Sequence, residues 1–113
     1  MDKVEKEKLY RSIVQKVVEM HAQMPSETEQ PESIPICDEV HGNYLLMDVG
    51  WDATGRAYDI VFHLRLKDGK VWIETDGIEY GIAQDLIEAG IPKEDIVIAF
   101  ADPQPKTLLD LAA

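Results

Sequence analysis

Asp68-Gly69 constrains this chain more tightly than any other pair of residues in it. A type I′ turn needs positive φ at both central positions, and Asp-Gly between two alternating stretches meets that need, so the dipeptide predicts a two-residue hairpin loop. Counting outward from the loop fixes a register. Lys67 faces Lys70, Leu66 faces Val71, Arg65 faces Trp72, Leu64 faces Ile73 and His63 faces Glu74. Leu64, Leu66, Val71 and Ile73 then share an apolar face, and His63, Arg65, Trp72 and Glu74 share the opposite one. A chain holding such a hairpin must build a sheet around it.

The flanking sequence supplies the other strands. Ala57 to Lys67 alternates, with Tyr58, Ile60, Phe62, Leu64 and Leu66 on one face, and Lys70 to Thr75 returns from the turn. Tyr44 to Trp51 alternates with Leu45, Met47, Val49 and Trp51 on one face, and Ile36 to Val40 is a shorter strand before it. His41-Gly42-Asn43 and the Gly55-containing stretch Asp52 to Arg56 read as the connecting turns. Together these form a four-strand antiparallel meander.

Helices bracket the meander. From Glu5 to Met24, Leu9, Tyr10, Ile13, Val14, Val17, Val18, His21 and Met24 follow the three-four spacing of one helical face, and Pro25 ends the run. Residues 25–35, with three prolines, read as a surface loop. Asp76-Gly77-Ile78-Glu79 has the form of a capping box, predicting a helix to Ala89 with Ile82, Ala83, Leu86 and Ile87 inward. Gly90 is placed to close it, Pro92 blocks its continuation, and Ile96 to Phe100 reads as a short buried strand before a tail at 101–113. The expected fold is α+β, one domain over 1–113, with helices on one face of a mainly antiparallel sheet.

Charge limits function. Twenty-two acidic against eleven basic residues give a net charge of −11. DNA affinity rests on neutralising phosphates, so no direct DNA binding is expected, whereas a basic protein partner fits. No apolar run approaches the roughly 18 residues of a membrane span. The charged start, Met1-Asp2-Lys3-Val4-Glu5-Lys6, is unlike a signal peptide, and the single cysteine, Cys37, permits no internal disulfide; the expected setting is the cytoplasm.

The candidate chemistry is sparse. His21, His41 and His63 show no metal-ligand spacing, so no metal and no cofactor is expected; His21 reads as a core or boundary residue and His41 as a turn residue. Gly77 and Gly81 serve a turn rather than a phosphate loop. The polar sheet face carries Asp48, Asp59, His63, Arg65, Trp72 and Glu74. His63 opposite Glu74 is the one candidate acid–base pair, and no nucleophile or cofactor motif accompanies it. Trp72 on that face, away from the helices, points to a partner or homodimer interface.

The ordered block Gly50-Trp51, Asp68-Gly69-Lys70-Val71-Trp72-Ile73-Glu74, Asp76-Gly77-Ile78-Glu79-Tyr80-Gly81-Ile82-Ala83, Leu86, Gly90-Ile91-Pro92-Lys93-Glu94-Asp95-Ile96-Val97 and Ala99-Phe100 resembles the XisI-like family, first named for excision control of the fdxN element of cyanobacteria. Ile78 and Lys106 depart from the residues common in that family. The resemblance implies an accessory protein without catalysis of its own. It would bind an XisH-like, nuclease-related partner and be linked indirectly to a site-specific recombinase. The alternative is a small-ligand binder or enzyme using the face around His63 and Glu74.

Overall fold

A computed structural model describes residues 2–26 and 28–112. Met1, Glu27 and Ala113, which belong to the expected domain, loop and tail, lie outside the described residues. In chain order the elements are α1 (Lys3–Ala22), β1 (Glu32–Asp38), β2 (Asn43–Asp52), β3 (Gly55–Lys67), β4 (Lys70–Asp76), α2 (Ile82–Glu88), a 3₁₀ turn (Lys93–Asp95), β5 (Ile96–Ile98), β6 (Lys106–Thr107) and α3 (Leu108–Ala112). The six strands form one sheet in sequential order. Every pairing is antiparallel except β4–β5, where α2 carries the chain back to a parallel start. The α+β expectation holds, with six strands in place of five.

Asp2 caps α1, its Oδ1 accepting the Glu5 N–H at 2.8 Å. The helix ends at Ala22, two residues before the expected Met24, because Pro25 disfavours helical backbone at the residue before it. Tyr10, Ile13, Val14, Val17, Val18 and His21 are buried along one stripe, while Leu9 and Met24, expected on that stripe, are exposed. The stripe lies over β1, β2 and β3. Beneath it Tyr44, Phe62, Leu64, Val71, Ile73, Ile82, Leu86 and Ile96 are fully buried, each large aliphatic or aromatic among them stabilising the fold by about 1.5–3 kcal/mol relative to exposure.

The Asp68-Gly69 turn forms as counted, with φ of 53° and 73°. The register from Lys67↔Lys70 to Leu64↔Ile73 follows. Beyond it Glu74 is an extra residue in β4, so His63 faces Thr75 and not Glu74. A second bulge leaves Val61 unpaired between Leu46↔Phe62 and Met47↔Ile60. That bulge reverses the faces of the outer half of β3. Phe62 and Leu64 point into the core, whereas Tyr58 and Ile60, expected beside them, are exposed.

β2 is likewise in the opposite phase to the one its alternation predicts. Tyr44 and Leu46 are buried, and Trp51, expected to line up with the apolar face, is 63% exposed. β1 begins at Glu32, inside the stretch expected to be loop, since Pro35 is tolerated in a strand at a sheet edge. α2 begins at Ile82 rather than near Asp76. The Asp76 carboxylate still caps it, but by accepting the N–H groups of Ile78 and Ile82, each at 3.0 Å, and not that of Glu79. Ile87, expected inward, is exposed. Gly90 has φ 115°, and the Gly90 and Ile91 N–H groups donate to Ile87 and Leu86 carbonyls, closing α2 as predicted. The tail docks: β6 pairs with β5, and Leu108 packs against the core.

Candidate functional site

One sheet face lies under α1; the other faces outward. Alternation from the buried Tyr44, Leu46, Phe62, Leu64, Val71 and Ile73 places Leu45, Met47, Val49 and Trp51 of β2, Tyr58, Ile60, His63 and Arg65 of β3, and Trp72 of β4 on the outward side. This face was expected to be polar, and it is mostly aromatic and aliphatic.

Two cation–aromatic clusters mark its ends. The Arg56 guanidinium lies 5.7 Å from the ring centres of both Trp51 and Tyr58, and Arg56 Nη1–H also donates to the Gly50 carbonyl at 3.2 Å. Tyr58 is 65% exposed, so this cluster presents ring surface to its surroundings. At the other end the Lys67 ammonium sits 4.7 Å from the Trp72 ring centre, and the Trp72 indole N–H donates to the Lys67 carbonyl at 3.0 Å. Sequence reasoning singled out Trp72 but missed Arg56 and Tyr58. The signal was the Arg56-x-Tyr58 spacing across the turn from Trp51, and the Val61 bulge that turns Tyr58 outward leaves no mark in the sequence.

The expected acid–base pair is not assembled across the ladder. His63 Nε2–H donates to Asn43 Oδ1 at 3.0 Å, and the Asn43 amide donates in turn to Asp38 Oδ2 at 3.3 Å. Burial holds the His63 imidazole below its ordinary pKa of 6.5; the nearby Glu74 carboxylate opposes that shift, and Arg65 adds to it. Glu74 lies 3.5 Å from Arg65 Nη1, a half-exposed pair. Asp48 falls on the side of the sheet that bears α1. It accepts the Ser33 hydroxyl at 2.9 Å and faces Asp59 across the ladder, away from His63. The structure thus brings His63, Arg65, Trp72 and Glu74 together and leaves Asp48 apart. His21 is buried as expected, its Nε2–H donating to Asp85 Oδ2 at 2.7 Å, and its ring meets Phe62 edge-on. No group of three or more potential metal ligands occurs among the described residues, and none of their helices is long and apolar enough to cross a membrane.

The family described as XisI protein matches over residues 1–113. The chain belongs to the XisI family. Two crystal structures of XisI relatives from Anabaena variabilis ATCC 29413 share this fold. One, of a XisI-like protein, has a TM-score of 0.78 and 31% identity, covering 86% of this chain and 89% of that one. The other, of the fdxN element excision controlling factor XisI, has a TM-score of 0.71 and 31% identity, covering 87% of this chain and 89% of that one. No curated protein matches the chain.

Proposed function

We propose that this XisI-family chain is a regulatory binding module, acting in the control of DNA-element excision from the cytoplasm by docking a protein partner on its outward sheet face. The partner is a basic, nuclease-related protein of the XisH-like kind, and the chain performs no reaction itself. One observation carries the reading: Arg56 held between two exposed aromatics, Trp51 and Tyr58, with Trp72 and Arg65 on the same face. Trp, Tyr and Arg are the residues that dominate binding energy at protein interfaces. The net charge of −11 disfavours DNA and favours a basic protein. The excision-controlling relative supports the biological setting.

The test is co-expression with the XisH-like protein of the same genome, read by size-exclusion chromatography with light scattering. The expected result is a complex of defined stoichiometry that Trp51→Ala with Tyr58→Ala weakens by at least about 30-fold, as removal of two interface anchors does. Absence of a complex at micromolar concentration removes the partner. A complex indifferent to both substitutions removes the face. A homodimer that the same substitutions dissolve assigns the face to a second copy instead.

A further inference from the structure

The charges on the outward sheet face run against those of the chain. Carboxylates outnumber Lys and Arg two to one overall, 22 to 11. Alternation from buried Leu64 and Val71 puts Lys67 and Lys70 on the outward side with Arg65 and Trp72. The Trp51↔Arg56 pairing puts Arg56 there too, at the other end of β3. Against these four cations the strands present three carboxylates on that side among the described residues: Glu32 and Asp38 of β1 and Glu74 of β4. Asp68 belongs to the turn itself. The acidity of the chain therefore lies elsewhere on the molecule.

Two of those carboxylates are already engaged. Glu74 pairs with Arg65 at 3.5 Å, and Asp38 is hydrogen-bonded by Asn43 and His41. Glu32 stands on the edge strand, in the row of Val49 and Tyr58. Arg56, Lys67 and Lys70 form no ion pair among the described residues. Arg56 has only the Trp51 and Tyr58 rings and the Gly50 carbonyl, and Lys67 only the Trp72 ring and Lys70 across the ladder. Like charges placed directly opposite repel. Between the two cationic ends runs an uncharged strip of Leu45, Met47, Val49 and Ile60. Arg56 and Lys67 are eleven residues apart on β3, roughly 35 Å at the rise of a strand. An interface of the standard ~800 Å² per partner is about that wide, so one partner reaches both ends.

We infer that the protein surface seated on this face carries carboxylates at both ends of an apolar ridge, one set against Arg56 and another against the Lys67–Lys70 pair. This deepens the docking reading above, on which it rests. The net charge of −11 attracts a basic protein at long range, while the contact itself is made through that protein's acidic patch. A carboxylate between Lys67 and Lys70 removes their mutual repulsion, and one on Arg56 is gripped by the planar guanidinium fork. Single-stranded nucleic acid also uses cations and rings, but its backbone follows a continuous cationic groove. The strip of Leu45, Met47, Val49 and Ile60 offers its phosphates no cation and offers a protein apolar contact.

The test is calorimetric titration of the XisH-like protein of the same genome into the whole chain, as wild type, as Lys67→Gln with Lys70→Gln, and as Lys67→Glu with Lys70→Glu. The expected result is a graded loss of affinity, with the Glu pair weaker than wild type by tenfold or more and the Gln pair between them. The Gln pair relieves the repulsion across the ladder, so its loss of affinity is not a loss of fold. A complex that the Glu pair leaves unchanged or tightens overturns the inference and leaves the docking reading standing, because the contacting patch is then not acidic. Absence of any complex removes the docking reading and the inference with it. A labelled single-stranded oligonucleotide that the wild type binds at low salt and the Glu pair releases assigns the cations to phosphates, and that result overturns the inference as well.

Discussion

Glu74 reaches Arg65, at 3.5 Å, while His63, which a two-residue turn sets opposite Glu74, faces Thr75 instead. One bulge therefore converts a would-be acid–base pair into a half-exposed ion pair with an imidazole beside it. The Glu74 carboxylate still favours the charged form of His63 through space. Glu74→Gln is expected to move the His63 titration further down, and to change stability by less than about 1 kcal/mol, since exposed pairs contribute little. Proton NMR of the imidazole across the titration checks the first part; an upward movement contradicts it.

His63 also gives stability a pH dependence of known sign. Its folded pKa lies below the ordinary 6.5 because burial penalises the imidazolium. As pH falls through 6.5 the unfolded chain takes up the proton first. The His63 contribution is thus fully present above that value, declines as pH falls towards the folded value, and levels off below it. Urea midpoints measured between about pH 5 and 8 are expected to show the difference between wild type and His63→Gln shrinking on acidification. A difference that grows in acid is incompatible with a depressed pKa.

Asp76 caps α2 from six residues before its first turn, with one carboxylate oxygen on Ile78 N–H and the other on Ile82 N–H. Asp76→Ala strands both donors and is expected to cost about 1–2 kcal/mol, the upper part of the range for loss of a helix cap. Asp76→Asn keeps one acceptor oxygen and is expected to recover part of the loss. Denaturant unfolding of the two variants measures both values, and equal stabilities for Ala and Asn would contradict the double role.

Asp85 joins α1 to α2. Its Oδ2 accepts from buried His21 at 2.7 Å and from the Tyr80 hydroxyl at 2.6 Å, and the Tyr80 bond raises that phenol from 10.0 to about 12. Asp85→Asn is expected to return Tyr80 towards 10.0, visible in ultraviolet titration of the phenolate. It is also expected to destabilise the fold by about 1.5–3 kcal/mol, the worth of a hydrogen bond to a carboxylate. Tyr80→Phe, which leaves the His21 bond intact, is expected to cost much less.

Much of this fold was legible because local signals agreed with the packing. The Asp68-Gly69 turn, the α1 stripe, the Gly90 stop and the α+β layering all rest on backbone or periodicity constraints that short stretches carry by themselves. β2 was misjudged because Tyr44-Leu45-Leu46-Met47 is apolar in both phases, so only the helix above it decides which phase is inward. The bulges at Val61 and Glu74 follow from neighbouring strands and carry no glycine to announce them. Asp76-x-x-Glu79 matched a capping box, but Gly81 at φ 91° turns the chain before the helix starts. A two-residue strand such as Lys106–Thr107 has no period to read. Of the candidate site, His63, Arg65, Trp72 and Glu74 were found by counting from one turn. Arg56 and Tyr58 became visible only once the bulge had set their face.

Pro35 sits in the middle of β1, the outermost strand on one flank, and β6 on the other flank is two residues long. A proline offers no N–H to an arriving strand. Extension of the sheet by backbone pairing, which reads almost nothing of the newcomer's sequence, is therefore interrupted on one side and limited to two residues on the other. A partner docked as proposed is therefore distinguished by side chains on the flat surface of the sheet. Single substitutions on that surface are thus enough to change which protein the proposed docking admits.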